Sequence, residues 1–280
     1  MIGEAFDKFV VQSRLGAGGL GEVWLADHAE MHTKVAIKVL TPEASSLDTV
    51  RAALDEARRA ARIADMGIAK IYDAGVRRDG RAYVITELVA GEPLTRRIER
   101  GRLSATQVAD VVQQVARACA VASATHVGHG NLKPSNIFMV PDRERGSGER
   151  VVVVDFALGK LITRAPEFGS ASYMPPEQFA GGPIDERADI YALGCIAFEL
   201  ACQRPPFTGK TAAQIRTKQV DNPAPSIKSL APDIGAVLDA IVARMLERNP
   251  DLRPRSLREV AKRFEMIVGL DAPLDETKQS

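Results

Sequence analysis

The chain has 280 residues, 45% of them apolar, with 37 Lys and Arg against 36 Asp and Glu. That is the profile of an ordinary soluble globular protein, long enough for one large domain or two lobes. A formal charge of +1 gives no broad attraction to nucleic acid or to a membrane surface. No apolar run approaches the roughly 18 residues of a spanning helix. The opening MIGEAFDKFVVQ lacks the basic-then-apolar order of a signal peptide. Cys119, Cys195 and Cys202 have no CxxC spacing, which fits reduced thiols in a cytoplasmic setting rather than a disulfide framework or a zinc site.

Residues 1–89 read mostly as strands. Short apolar or alternating runs occupy 9–15, 21–27 and 34–40, with the glycine-dense turn Gly16-Ala17-Gly18-Gly19-Leu20 between the first two. A helical pattern follows over 47–64, where Val50, Leu54, Ala57 and Ala61 are spaced by three or four. Two further strands are expected at 69–76 and 81–88, joined by the hairpin signal Asp79-Gly80. After Gly91-Glu92-Pro93 the pattern changes to helix. Ser104 and Gln107 form a capping box that opens a long helix to about residue 125. Residues 133–155 read as loop and short strands with a polar tip at 142–150, and 187–201 as a helix apolar on nearly every side. Thr211 with Gln214, and Ser256 with Glu259, are two more box patterns. Residues 271–280 are a polar tail. The order implies an α+β architecture of two lobes, a β-rich one over 1–89 with one major helix and a helical one over 90–270.

Gly16, Gly18 and Gly21 match G-x-G-x-x-G. A dinucleotide fold needs a helix directly after these glycines. Here Glu22-Val23-Trp24-Leu25 reads as another strand, so the alternative is a glycine hairpin whose backbone N–H groups fold over phosphates. Lys38, in Val35-Ala36-Ile37-Lys38, can send its ammonium into the cleft beneath that hairpin. Glu56 in the following helix is the expected partner that fixes Lys38. Asp55 and Glu43 compete for that role, and Glu56 can instead pair within its helix with Arg59 or Arg62.

With those motifs the sequence resembles a protein kinase, most closely the bacterial branch of the eukaryotic-like serine/threonine kinases. Leu132-Lys133-Pro134-Ser135-Asn136 looks like a catalytic loop, Asp155-Phe156-Ala157 stands where the family has Asp-Phe-Gly, and Pro175-Pro176-Glu177 where it has Ala-Pro-Glu. Asp189 begins a stretch similar to the buried helix that anchors the second lobe, and Arg253 matches the arginine that pairs with Glu177. The resemblance implies a bilobal kinase fold binding ATP and Mg²⁺, with protein partners or protein Ser/Thr substrates. It makes Thr86 the gatekeeper and Glu87-Leu88-Val89 the adenine hinge. Leu15, Val23, Ala36 and Phe138 become the walls of the ring slot, where the bulk of Phe138 either stacks on the base or crowds it. It also makes Asn136 and Asp155 the metal ligands, and Lys133 the contact to the transferred phosphate. The sequence says nothing of oligomeric state.

The pattern breaks where the family has His-Arg-Asp and this chain has His129-Gly130-Asn131. Asn131 stands in place of the aspartate that takes the proton from the acceptor hydroxyl. A carboxamide accepts a hydrogen bond but has no useful basicity at neutral pH. Gly130 removes the arginine that would bind a phosphorylated activation segment, in which Thr163, Ser170 and Ser172 are the only hydroxyls. Ser170 resembles the threonine that steadies the catalytic loop. Ala157 replaces a glycine and disfavours positive φ. Two readings follow. In one the chain is an ATP/Mg²⁺-binding pseudokinase, or a severely impaired kinase, acting through nucleotide-dependent protein contacts. In the other it is an active serine/threonine kinase, either a slow natural enzyme or one carrying an engineered Asp-to-Asn change at 131.

Overall fold

The computed structural model describes residues 1–42, 47–156, 158, 171–182 and 185–270. A six-stranded sheet is built from β1 (Ala5–Phe6), β2 (Phe9–Gly18), β3 (Gly21–His28), β4 (Lys34–Leu40), β5 (Ile71–Val76) and β6 (Ala82–Glu87), in the order β1-β2-β3-β4-β6-β5. All its described pairings are antiparallel. Period-two alternation gives it two faces. Val35, Ile37 and Val39 join Trp24, Ala26, Phe6, Phe9 and Ile85 in one apolar cluster. Ala36 and Lys38, half-buried, lie on the opposite face. Sequence alternation alone therefore sends the lysine to the cleft.

Helix α1 (Leu47–Ala60) packs across this sheet. It ends earlier than the expected residue 64. Ala61 is exposed, and Ala60 is buried beside Ala57 in its place. The chain leaves the helix through short-range bonds, Arg62 N to Arg59 O and Ile63 N to Ala60 O. It then turns at Asp65, whose carboxylate accepts the Gly67 N–H at 2.8 Å. Strand β5 likewise begins at Ile71 rather than at 69.

The second lobe is helical around a small sheet of β7 (Glu92–Pro93), β8 (Ile137–Pro141) and β9 (Glu149–Val153). Its helices include α2 (Leu94–Glu99), α3 (Ala105–Ser123), α4 (Pro176–Phe179), α5 (Glu186–Cys202), α6 (Ala212–Asp221), α7 (Ile227–Leu230), α8 (Ala236–Met245) and α9 (Leu257–Leu270). The capping box on α3 is complete, with both reciprocal bonds of Ser104 and Gln107 present. Before α6 and α9, Thr211 and Ser256 cap as expected. Gln214 and Glu259, however, reach one residue further back, to the N–H groups of Lys210 and Arg255. Helix α5 is buried along almost its whole length and forms the centre of the main core with α3, α8 and α9. No described helix is long and apolar enough to cross a membrane. Ala157, Thr163, Ser170, Glu43 and the tail 271–280 lie outside the described residues.

Candidate active site

The glycine hairpin joins β2 to β3, with Gly18 opposite Gly21. Its glycines answer to two different constraints. Gly21 has φ +148, and a Cβ there would lie 2.0 Å from the Val39 carbonyl oxygen. Only glycine fits between β3 and β4 at that point. At Gly16 and Gly18 a Cβ would meet nothing within 4 Å. No protein contact demands glycine at these two, which fits a loop kept bare for the close approach of a ligand. Leu15 beside them is 50% exposed.

Below the hairpin, the β3–β4 register sets Val23 opposite Lys38, and the β4–β6 register sets Ala36 opposite Thr86. At the end of β6, Glu87 turns its N–H to the Lys70 carbonyl at 2.8 Å, and its side chain accepts the Lys70 N–H at 3.2 Å. The Val89 carbonyl accepts the Gly91 N–H. Among the described residues nothing accepts from the Val89 N–H. Phe138, on β8, sits with Val89 and Val154 against a small cluster of Ala69, Val140 and Val152. The structure thus groups Phe138 with Val89, expected at the hinge, and Ala36 with Thr86.

Lys38 meets a different partner from the one expected. Its Nζ lies 2.5 Å from Asp155 Oδ2, with both side chains mostly shielded. No Lys38–Glu56 ion pair occurs among the described residues. Glu56 is 1% exposed on α1. The physical reason is competition: a lysine on the cleft face takes whichever carboxylate the fold brings within reach. Asp155 follows β9 and arrives from the opposite lobe with φ +65, a left-handed backbone that a non-glycine residue adopts at a cost. Leu158, a few positions on, is 2% exposed and enters the apolar cluster of Leu40, Val50, Ala82 and Val84, against Leu20 and Leu54. Sequence reading gave Leu158 no role. Its only local signal is an apolar residue in a segment otherwise rich in small and polar side chains.

The loop from His129 to Asn136 is braced through its backbone. Asp189 on α5 accepts the N–H groups of His129 (2.9 Å) and Gly130 (2.8 Å). Burial pushes this carboxyl up to about 6 in spite of the two bonds. His129 accepts the Asn131 N–H on Nδ1, which makes Nε2 the protonated nitrogen that donates to the Val154 carbonyl at 3.0 Å. Burial holds its pKa down to about 4. The ring packs against Phe156 with centroids 4.9 Å apart. Asn136, buried, donates from Nδ2 to the Asn131 carbonyl at 3.0 Å. Gly130 has φ +66, a conformation that glycine tolerates and other residues resist. Lys133 opens the short turn Pro134–Asn136, and its carbonyl accepts the Asn136 N–H.

Facing this loop, Asn131, Gly130, Tyr173, Met174, Pro175 and Gln178 line a shallow pocket floored by Asp189 and Ala192. Its wall is tied down at several points. Tyr173 donates to Glu199 at 2.6 Å, and the fully buried Gln219 donates to the Met174 carbonyl at 3.0 Å. Arg253 grips Glu177 with two bonds of 2.6 and 2.8 Å, as the resemblance implied. Gln219 had no sequence signal, because a glutamine on a polar helix reads as surface.

A curled sheet lobe, a helical lobe and a cleft with a glycine hairpin, a lysine–aspartate pair and a braced Asn-containing loop define a kinase-type fold. The model of the protein kinase domain matches residues 9–264, and the chain belongs to that family. It is 33% identical over 264 residues to the serine/threonine-protein kinase PknA of Mycobacterium tuberculosis, covering 89% of this chain and 58% of that protein. It is 35% identical over 266 residues to Pkn1 of Myxococcus xanthus, covering 92% of this chain and 38% of that protein. The chain thus spans little more than half, or less, of these curated relatives. Among solved structures, the kinase domain of Mycobacterium tuberculosis PknI superposes with a TM-score of 0.77 at 28% identity, covering 95% of this chain and 98% of that one.

Proposed function

We propose that the chain binds ATP with Mg²⁺ in this cleft and is a pseudokinase, or a severely slowed serine/threonine kinase, that acts through nucleotide-dependent contacts with proteins. The observation that supports this most is an imbalance. The groups suited to a triphosphate converge, while residue 131, beside the acceptor-side pocket, is a carboxamide.

Leu15, Val23, Ala36, Thr86 and Phe138 would enclose the adenine, with Glu87 and Val89 offering hinge groups. The bare backbone at Gly16 and Gly18, with Gly21 shaping the turn, would cover the phosphates, and Lys38 and Glu56 would lie on the sheet-lobe side of them. Asp155 and Asn136 supply oxygen ligands of the kind Mg²⁺ prefers. When bound, the ion would neutralise charge on the phosphate oxygens. Lys133 remains to steady a transferred phosphoryl group. Asn131 can orient a hydroxyl but cannot take its proton, and general-base help is worth roughly 10²–10⁴-fold.

The second reading, an active kinase that transfers the γ-phosphoryl group to protein Ser or Thr, draws support from the intact bracing of the loop. Phosphoryl transfer depends mainly on positioning and cations. Calorimetry with ATP and Mg²⁺, paired with radiolabelled transfer to the chain itself and to a generic acceptor, tests both. Binding without transfer supports the first reading. Transfer that is lost in Lys38→Ala supports the second. Absence of binding removes both.

A further inference from the structure

The pocket beside Asn131 has a single ionised group among its lining residues, the carboxylate of Asp189. Asp189 is 2% exposed. Its Oδ2 accepts the His129 N–H and its Oδ1 the Gly130 N–H, which leaves further acceptor capacity on each oxygen. What acts most strongly on this carboxyl is its burial, then those two bonds, then the carboxylates of Glu186 and Asp185. No cation is among them. The other polar groups of the pocket also lean toward accepting. Tyr173 gives its hydroxyl proton to Glu199, and so turns an acceptor oxygen and a ring to the pocket. Gln178 directs an amide N–H to the Gly130 carbonyl at 3.4 Å, and its oxygen has no partner among the described residues. The Asn131 side chain has no hydrogen bond among the described residues, since the bonds of residue 131 run through its main chain. Gly130 puts no side chain into the space.

We propose that this pocket binds an arginine side chain of a protein partner. A guanidinium is planar, weakly hydrated and always charged. It stacks on aromatic rings and carries five N–H donors, so Tyr173 can take its face while Asp189, Asn131 and Gln178 accept its edge. A lysine ammonium meets the same charge but gives up a tighter hydration shell and does not stack. The site stands on this pocket alone and needs no nucleotide in the cleft.

The test uses a blocked arginine, N-acetyl-arginine N-methylamide, titrated into the isotope-labelled chain and followed through backbone amide resonances. Saturable shifts should centre on Gly130, Asn131, Tyr173 and Gln178. The citrulline analogue has the same shape without the charge and should bind at least about tenfold more weakly, as loss of a charge-assisted bond requires. The blocked lysine should also bind more weakly than the arginine. Gln178→Lys supplies a competing ammonium at the pocket and should weaken the arginine probe at least about tenfold, while Gln178→Ala weakens it less. Gln178 is half-buried on the short helix α4. Should the lysine variant not fold, the comparison of arginine with citrulline on the unaltered chain decides alone. Equal affinity for arginine and citrulline overturns the proposal. So do shifts scattered over other acidic surfaces, absence of saturable shifts at these residues, or binding untouched in a folded Gln178→Lys chain.

Discussion

Beneath the glycine hairpin, side chains make the joins. Lys38 reaches Asp155 across 117 positions of sequence, and Leu158 fills the space under the hairpin. In the loop from His129 to Asn136 the backbone makes them. Asp189 holds two main-chain N–H groups, His129 holds a third, and Asn136 holds the carbonyl of residue 131. The contrast shows how the loop can keep its geometry whatever side chain stands at residue 131. The described hydrogen bonds of residue 131 run through its main chain, so the side chain there is free to change while the geometry stays. Beneath the hairpin the side chains are themselves the structure, and a change of residue changes the site.

The sharpest way to break this contrast is Asn131→Asp. The bracing needs only the backbone of residue 131, so the variant should fold with an unchanged melting temperature. Transfer of labelled phosphate to a protein acceptor should rise by roughly 10²–10⁴-fold. No rise would place further losses elsewhere in the site. Lys38→Ala is the reciprocal change. It leaves Asp155 without its cation and should weaken ATP binding by at least about tenfold, since a charge-assisted contact is worth roughly 1.5–3 kcal/mol. Calorimetry reads this directly. An unchanged ATP affinity would show that the phosphates lie away from Lys38.

How much of this the sequence carried depends on the distance over which each feature is encoded. The glycine hairpin, the lysine strand and the Leu132–Asn136 stretch are written in a few consecutive residues, so alternation and turn chemistry suffice to place them. The partner of Lys38 is not local. Glu56 and Asp155 both offer carboxylates, and only the tertiary fold decides between them. The end of α1 was hidden for another reason. Ala60-Ala61-Arg62-Ile63 contains no glycine, proline or capping residue to mark a stop, and the helix ends at Ala60 through the short-range bonds of Arg62 and Ile63. Leu158 and Gln219 were invisible because burial by a distant segment leaves no periodic trace around a single residue.

The bracing of the loop carries opposed pH terms, which gives a test of intermediate size. Asp189 is raised to about 6. It stabilises the fold below its unfolded value of 3.8, and this contribution is lost as pH rises through 6. His129 is lowered to about 4 from 6.5. Its contribution is present above 6.5 and is lost as pH falls through 4. Each shift corresponds to about 3 kcal/mol, and the two nearly cancel across that window. Asp189→Asn removes one arm. Relative to wild type, the variant should lose about 2–3 kcal/mol of stability between pH 7 and pH 4, measured by urea unfolding at each pH. A parallel pH dependence of variant and wild type would mean that Asp189 is not held in its raised state.

The smallest expected effect concerns Gly130 and the backbone it allows. At φ +66 a side chain of any kind strains the backbone by roughly 1–2 kcal/mol. Gly130→Ala should therefore lower unfolding stability by about that amount while ATP affinity stays the same, because the strain lies in the braced loop and not beneath the glycine hairpin. Gly130→Arg adds the fork for a phosphorylated segment at the same backbone cost. If Gly130→Ala proves neutral, the backbone at 130 relaxes out of the left-handed region. The two N–H bonds to Asp189 would then be looser than their 2.9 and 2.8 Å lengths, and hydrogen exchange at His129 and Gly130 would reveal that directly.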